Sequence, residues 1–303
     1  MLRRFKQFFI GSPLETTSLP DQRLGVPGAL PVLASDNLSS AAYATDEILL
    51  GFLAAAAIGV AFPQLYALPI AMAICLLTLI VAISYGQTLH AYPTGGGAYT
   101  VAKENLGITP ALVAGSALLI DYALTVAVSV AAGIAAITAA FPSLYSHRIG
   151  LCVLAVFLIL VANLRGVRES AALFAGPVYL FIISIYALVL TGLWRHMMGG
   201  GTALPPAAAP AAEITWNATA VFFLLRAFAS GCVALTGIEA VANGVRIFRP
   251  PASRNAAITL YIMAGFLATL FLGLTYLAYL YRIMPLEGQT VPSQLGRAIF
   301  GTS

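Results

Sequence analysis

Residues 34–47, ASDNLSSAAYATDE, place Asp36, Asn37, Ser39, Ser40, Tyr43, Thr45, Asp46 and Glu47 inside an otherwise apolar run. Two later runs are interrupted in the same way. IDYALTVAVSV (120–130) carries Asp121, Tyr122, Thr125 and Ser129, and SGCVALTGIEA (230–240) carries Ser230, Thr236 and Glu239. Positions 122, 125 and 129 recur at i, i+3, i+7, which puts one phenol and two hydroxyls on a single stripe of a helix. Carboxylate and hydroxyl oxygens are hard ligands of the kind that can replace water around a monovalent cation. A carboxylate buried at such a site can also carry a proton.

The elements that position these groups follow from composition. Of 303 residues, 60% are hydrophobic and 9% charged, and the mean hydropathy is +0.92. A soluble domain carries about a quarter charged residues, so the chain's solvent is lipid. Apolar windows of about 20 residues match the thickness of a bilayer core, and none alternates with the period of a membrane strand. The fold class expected is an all-α integral membrane protein. Seven spans are predicted, at 27–55, 64–90, 108–140, 149–165, 170–194, 217–244 and 256–281. Between them lie turns rich in Pro and Gly such as YPTGGGAY, and the low-complexity GGGTALPPAAAPAA.

An unpartnered acid or amide in hydrocarbon costs several kcal/mol, so the polar part of the first span must face protein or a wet cavity. One solution is a broken helix, with Ser, Asp and Asn capping a second half that starts near Ser39. A re-entrant or interfacial cap over 34–47 is the alternative. The sixth span interrupts its own apolar run with Ser230, Gly231, Thr236, Gly237 and Glu239. The second interruption lies five spans downstream of the first, an odd offset, so a five-span repeat must return inverted. Two broken helices at corresponding positions of inverted repeats mark the binding site of a secondary transporter. Breaks are expected within about three residues of Asn37 and of Ala234, facing each other at similar depth.

Basic residues set the orientation. In this topology Arg3, Arg4, Lys6, Arg23, Lys103, Arg165, Arg168, Arg246, Arg249 and Arg254 share one side, and Arg148, Arg195 and Arg282 the other. The amino terminus is therefore expected in the cytoplasm, with 1–25 as a cytoplasmic tail and 196–214 as an extracytoplasmic loop of a bacterial-type inner membrane protein. Cys75, Cys152 and Cys232 lie within spans and suggest neither a disulfide framework nor a metal site. No phosphate loop, HExxH motif or Ser/His/Asp set occurs, and His90, His147 and His196 sit near span ends. An enzyme, a nucleic-acid partner, a bound metal and a cofactor are not expected.

ALPVLASDNLSSAAYATDEILL, YPTGGGAYTVAKENLG, IDYALTVAVSV and SGCVALTGIEA together resemble the amino acid, polyamine and organocation (APC) superfamily, and within it the KimA-type potassium importers. The resemblance implies a LeuT-like fold of two inverted five-helix repeats with alternating access. Here 26–195 would form the first repeat and 215–283 the first two helices of the second, followed by a truncated tail, 284–303. It implies potassium-site positions at Asp36, Tyr43, Asp121, Tyr122, Thr125, Ser129 and Thr236, with proton coupling by Asp36, Asp121 or Glu239. It implies proton-coupled potassium uptake, with amino acid or polyamine transport as the alternative, and it admits a homodimer in a full-length form. Spans eight to twelve are expected from the resemblance but are absent from this sequence, so a non-transporting membrane fragment is a further alternative.

Several residues carry a second reading. Thr125 and Ser129 could bond back to the preceding turn, Tyr122 could be a packing aromatic, and Glu239 could pair with Arg226 if the helix between them is broken. Asp46 and Glu47 are expected to be solvated near the outer end of the first span. An acid in ASDNLSS, where amino acid carriers present free glycine N–H groups to a carboxylate, favours a cation.

Overall fold

The computed structural model describes residues 22–60, 62, 64–164, 167–199 and 216–301. The tail before residue 22 and the loop 200–215 lie outside the described residues. Strand-like pairing among the described residues is limited to two isolated bridges, Leu24 with Phe248 and Leu286 with Gln289.

The first span is two helices, α1 (Val26–Leu33) and α2 (Ser35–Ala56), meeting at Ala34. The break thus falls three residues before Asn37, and the second half begins at Ser35, four residues earlier than expected. No side chain caps it. The hydroxyls of Ser39 and Ser40 instead donate back to the Asp36 carbonyl, at 2.8 and 3.1 Å, so these serines act inside the helix and not as its caps. Asp36 occupies the first turn of α2, where the unpaired N–H end of the helix favours negative charge.

Next come α3 (Ala67–Ala91), the short α4 (Gly97–Leu106), α5 (Ile108–Ala140), α6 (Arg148–Leu164) and α7 (Val167–Met197). The sixth span is α8 (Ala218–Gly231), a 3-10 turn at Cys232–Leu235, and α9 (Ile238–Asn243). Then follow α10 (Ala252–Leu280) and α11 (Val291–Phe300). Among the described residues six helical segments are long and apolar enough to cross a membrane. The first predicted span, the α1–α2 pair, is not among the six: it is divided at Ala34 and carries Asp36, Asp46 and Glu47 in its longer half.

The core lies where α2, α3, α8 and α10 pack together. Small residues there, Ala41, Ala44, Ala227 and Ala234, are fully buried, and small side chains are what let membrane helices approach closely. One buried polar contact joins α2 to α10, between the Thr45 and Thr275 hydroxyls at 2.8 Å. By contrast α6 buries no residue, and Ile149 and Val153 are largely exposed. A helix that is apolar all round and open to its surroundings suits hydrocarbon.

The segment 284–303, expected as a tail, carries α11. Its first N–H, at Val291, donates to Asp46 Oδ1 at 2.9 Å, and Arg297 donates to the Ala139 carbonyl at the end of α5 at 2.6 Å. Asp46 is therefore the buried acceptor at the start of α11 rather than a solvated acid, placed where the free N–H groups of a helix end find a partner.

Candidate functional site at the two breaks

The sixth span breaks because Thr236 is extended (φ −62°, ψ 144°) and Gly237 is left-handed (φ +82°). A β-carbon on Gly237 would sit 2.7 Å from Asp36 Oδ2 and 3.2 Å from the Asn37 N. Glycine is thus required twice at this position, once by backbone conformation and once by the approach of α2. The two breaks face each other, as expected from the interrupted runs.

Asn37 ties them together. Its Nδ2 donates to the carbonyls of Ala234 at 3.1 Å and Thr236 at 3.0 Å, two acceptors that the broken span leaves without helical partners. Asn37 is fully buried. Two carbonyl acceptors orient the amide with its NH2 toward the break. In Asn37→Leu both carbonyls stay buried and lose their donor, at about 1–3 kcal/mol each. The apparent Tm in detergent should fall by on the order of 5 °C, read by fluorescence-detected size-exclusion chromatography after heating. An unchanged Tm would remove Asn37 as the tie.

Around this tie the hydroxyls form a continuous network. Ser129 of α5 donates to Asp36 Oδ1 at 3.3 Å. Its Oγ is 3.4 Å from both the Ser39 Oγ and the Tyr43 Oη. Ser40 lies 3.0 Å from the Tyr43 hydroxyl and 3.0 Å from the Thr236 hydroxyl. Asp36, Tyr43, Ser129 and Thr236 therefore meet in one place, and Ser129 reaches the carboxylate rather than the preceding turn. Tyr122 and Thr125 line the same cavity as Asp36, Ser39 and Ser129. The cavity measures about 580 Å³, some twenty times the roughly 30 Å³ that one water occupies in the liquid. Volume thus leaves the choice of ligand to the donor set.

Asp121 is the residue set apart. It does not line the cavity, yet it lies within electrostatic reach of both Asp36 and Glu239. Glu239 opens α9, directly after the break, and its Oε1 is buried with no hydrogen-bond partner among the described residues. Arg226 stands over the Phe223 ring, 5.8 Å from its centroid. Three acids thus share one field across α2, α5 and α9. Asn37, Ser39 and Ser40, conspicuous in the sequence but outside the positions that the resemblance implies, belong to this network, and Asn243, which no sequence feature marks, donates its amide to the Tyr122 hydroxyl.

Residues 37–302 match the amino acid permease family. The chain belongs to that family. This permease is also 45% identical, over an alignment of 309 positions, to the protein named "Potassium transporter KimA" of Bacillus subtilis (strain 168). The alignment covers 99% of this chain and 49% of that relative, so the permease spans about half the length of the curated relative it matches.

Proposed function

We propose that this permease takes up potassium, coupled to protons, by alternating access around the two breaks. The observation that carries the reading is the Asp36 carboxylate, set at the start of α2 with Ser129 on one oxygen and the Gly237 turn against the other. A carboxylate among hydroxyls suits a hard cation and repels a carboxylate substrate. At the bend of the first span, moreover, the N–H groups of Ala34 and Leu38 already donate to Leu30 and Ala34, which leaves these two unavailable to an anionic group. The name of the Bacillus subtilis relative points the same way.

Asp36, Tyr43, Tyr122, Thr125, Ser129 and Thr236 would surround the ion, with Asp121 acting through its charge. Asp36, Asp121 and Glu239 are the groups that would carry the coupling proton. In this reading the first five spans form one repeat and the sixth and seventh open its inverted partner. The face with the amino terminus is cytoplasmic, in keeping with the distribution of Lys and Arg.

The test is rubidium or potassium uptake by the full-length gene product in a strain lacking its own potassium importers, with amino acid uptake measured in parallel. Uptake of the cation alone is the expected result. Uptake of an amino acid without the cation would overturn the proposal in favour of the transport that the family's description names.

A further inference from the structure

We propose that Asn243 is the latch of an inner gate, and that the YPTGGGAY turn closes over it. The proposal rests on the transport reading above and adds to it the barrier between the cavity and the amino-terminal face. Three elements converge at this residue. Its Nδ2 donates to the Tyr122 hydroxyl of α5. Its Oδ1 occupies the space beside Gly97 at the start of α4, where a β-carbon would come within 2.1 Å of it. Its own carbonyl stands 3.3 Å from where Gly95 would carry a β-carbon. A turn later, Arg246 Nε donates to the Thr94 carbonyl at 2.8 Å, fastening the same loop to the end of the sixth span.

Depth gives this cluster its meaning. Asn243 is the last residue of α9, roughly 9 Å along a helix from the break at Gly237. Tyr122 lies seven residues, or about 10 Å, from Ser129 on α5. Both steps run toward the face on which α1 starts, because α9 ends and α5 begins on that side. The Tyr122–Asn243–Gly97 contact therefore crosses the path from the cavity, which Tyr122 lines, to that face. Gly97 has φ +45° and follows Gly95 and Gly96 at +77° and +102°, so the loop folds down against α9 in a conformation that side chains resist. Opening toward this face requires the phenol to part from the amide and the loop to lift.

Asn243 is thus a positioning residue, acting through Tyr122, and its test must report access rather than stability. In the full-length gene product every native cysteine, Cys75, Cys152 and Cys232 included, is replaced and one cysteine is placed at Ala240, which lines the cavity on α9. A membrane-impermeant maleimide is applied to inverted vesicles, which present the amino-terminal face, and separately to right-side-out vesicles. Labelling from the amino-terminal face should accelerate about threefold to tenfold in Asn243→Ala and in Tyr122→Phe, the range that loss of one hydrogen bond supports. Gly97→Ala should do the same. The double variant Asn243→Ala/Tyr122→Phe should be no faster than either single variant, because both remove one contact. From the opposite face the rate should stay at or below that of the parent.

Tyr122→Phe deletes only a hydroxyl and decides the question if the other variants fail to fold. An unchanged rate in that variant, or equal acceleration from both faces, overturns the latch. The readout needs no transported ion. Faster labelling in a protein that imports no potassium would sink the transport reading and leave the gate, whereas potassium import with unchanged labelling would do the reverse.

Discussion

Potassium uptake by the Asp36→Asn protein is expected to fall at least tenfold below that of the parent, with expression unchanged. The amide keeps the size of the carboxylate and one acceptor oxygen, so Ser129 retains a partner for the contact now at 3.3 Å. It loses the charge that offsets dehydration of the ion, and it cannot take up a proton near neutral pH. A cation without its partner near the bilayer centre costs several kcal/mol, and about 1.4 kcal/mol already corresponds to a factor of ten. The break itself should survive, because Asn37 and not Asp36 supplies the donors to Ala234 and Thr236. Asp121→Asn is the comparison. Asp121 lies off the cavity wall and acts on Asp36 and Glu239 through its charge, so its loss should reduce uptake less. Near-normal potassium uptake by Asp36→Asn would remove the carboxylate from the mechanism.

Much of this arrangement is legible in the sequence because lipid makes polar residues conspicuous. Asp36, Asp121 and Glu239 stand out as acids in apolar runs, and the i, i+3, i+7 stripe of Tyr122, Thr125 and Ser129 follows from helix geometry alone. The odd offset of five spans from the first interruption to the second already implies that the two broken spans run in opposite directions. What the sequence withholds is pairing. Asn37 meets carbonyls 197 and 199 residues away, and no local pattern shows that an amide beside Asp36 serves the sixth span. Asp46 is misleading for a similar reason: next to Glu47, near a span end, it resembles a solvated acid, yet α11 arrives from 245 residues away to set its first N–H on it. The glycine turn at 95–97 reads only as a turn until Asn243 is found beneath it.

The break of the sixth span depends on one missing side chain, and the second large effect is expected there. Gly237→Ala should reduce potassium uptake at least as severely as Asp36→Asn, although it changes neither charge nor any side-chain oxygen. The left-handed backbone at φ +82° costs an L-residue about 1–2 kcal/mol. A methyl group there would also press within 2.7 Å of Asp36 Oδ2 and 3.2 Å of the Asn37 N. The second of these neighbours is backbone, so α2 cannot yield by turning a side chain. Either α2 withdraws or the carboxylate swings away from Ser129, and each disperses the oxygens that would surround the ion. Withdrawal also lengthens the Asn37 contacts to Ala234 and Thr236, so Tm should fall together with uptake. In Asp36→Asn the same measurement should stay near the parent value, and that contrast separates loss of charge from loss of geometry. Parent-like uptake and Tm in Gly237→Ala would mean that α2 does not lie against the Gly237 turn, and the site built on that contact would have to be abandoned.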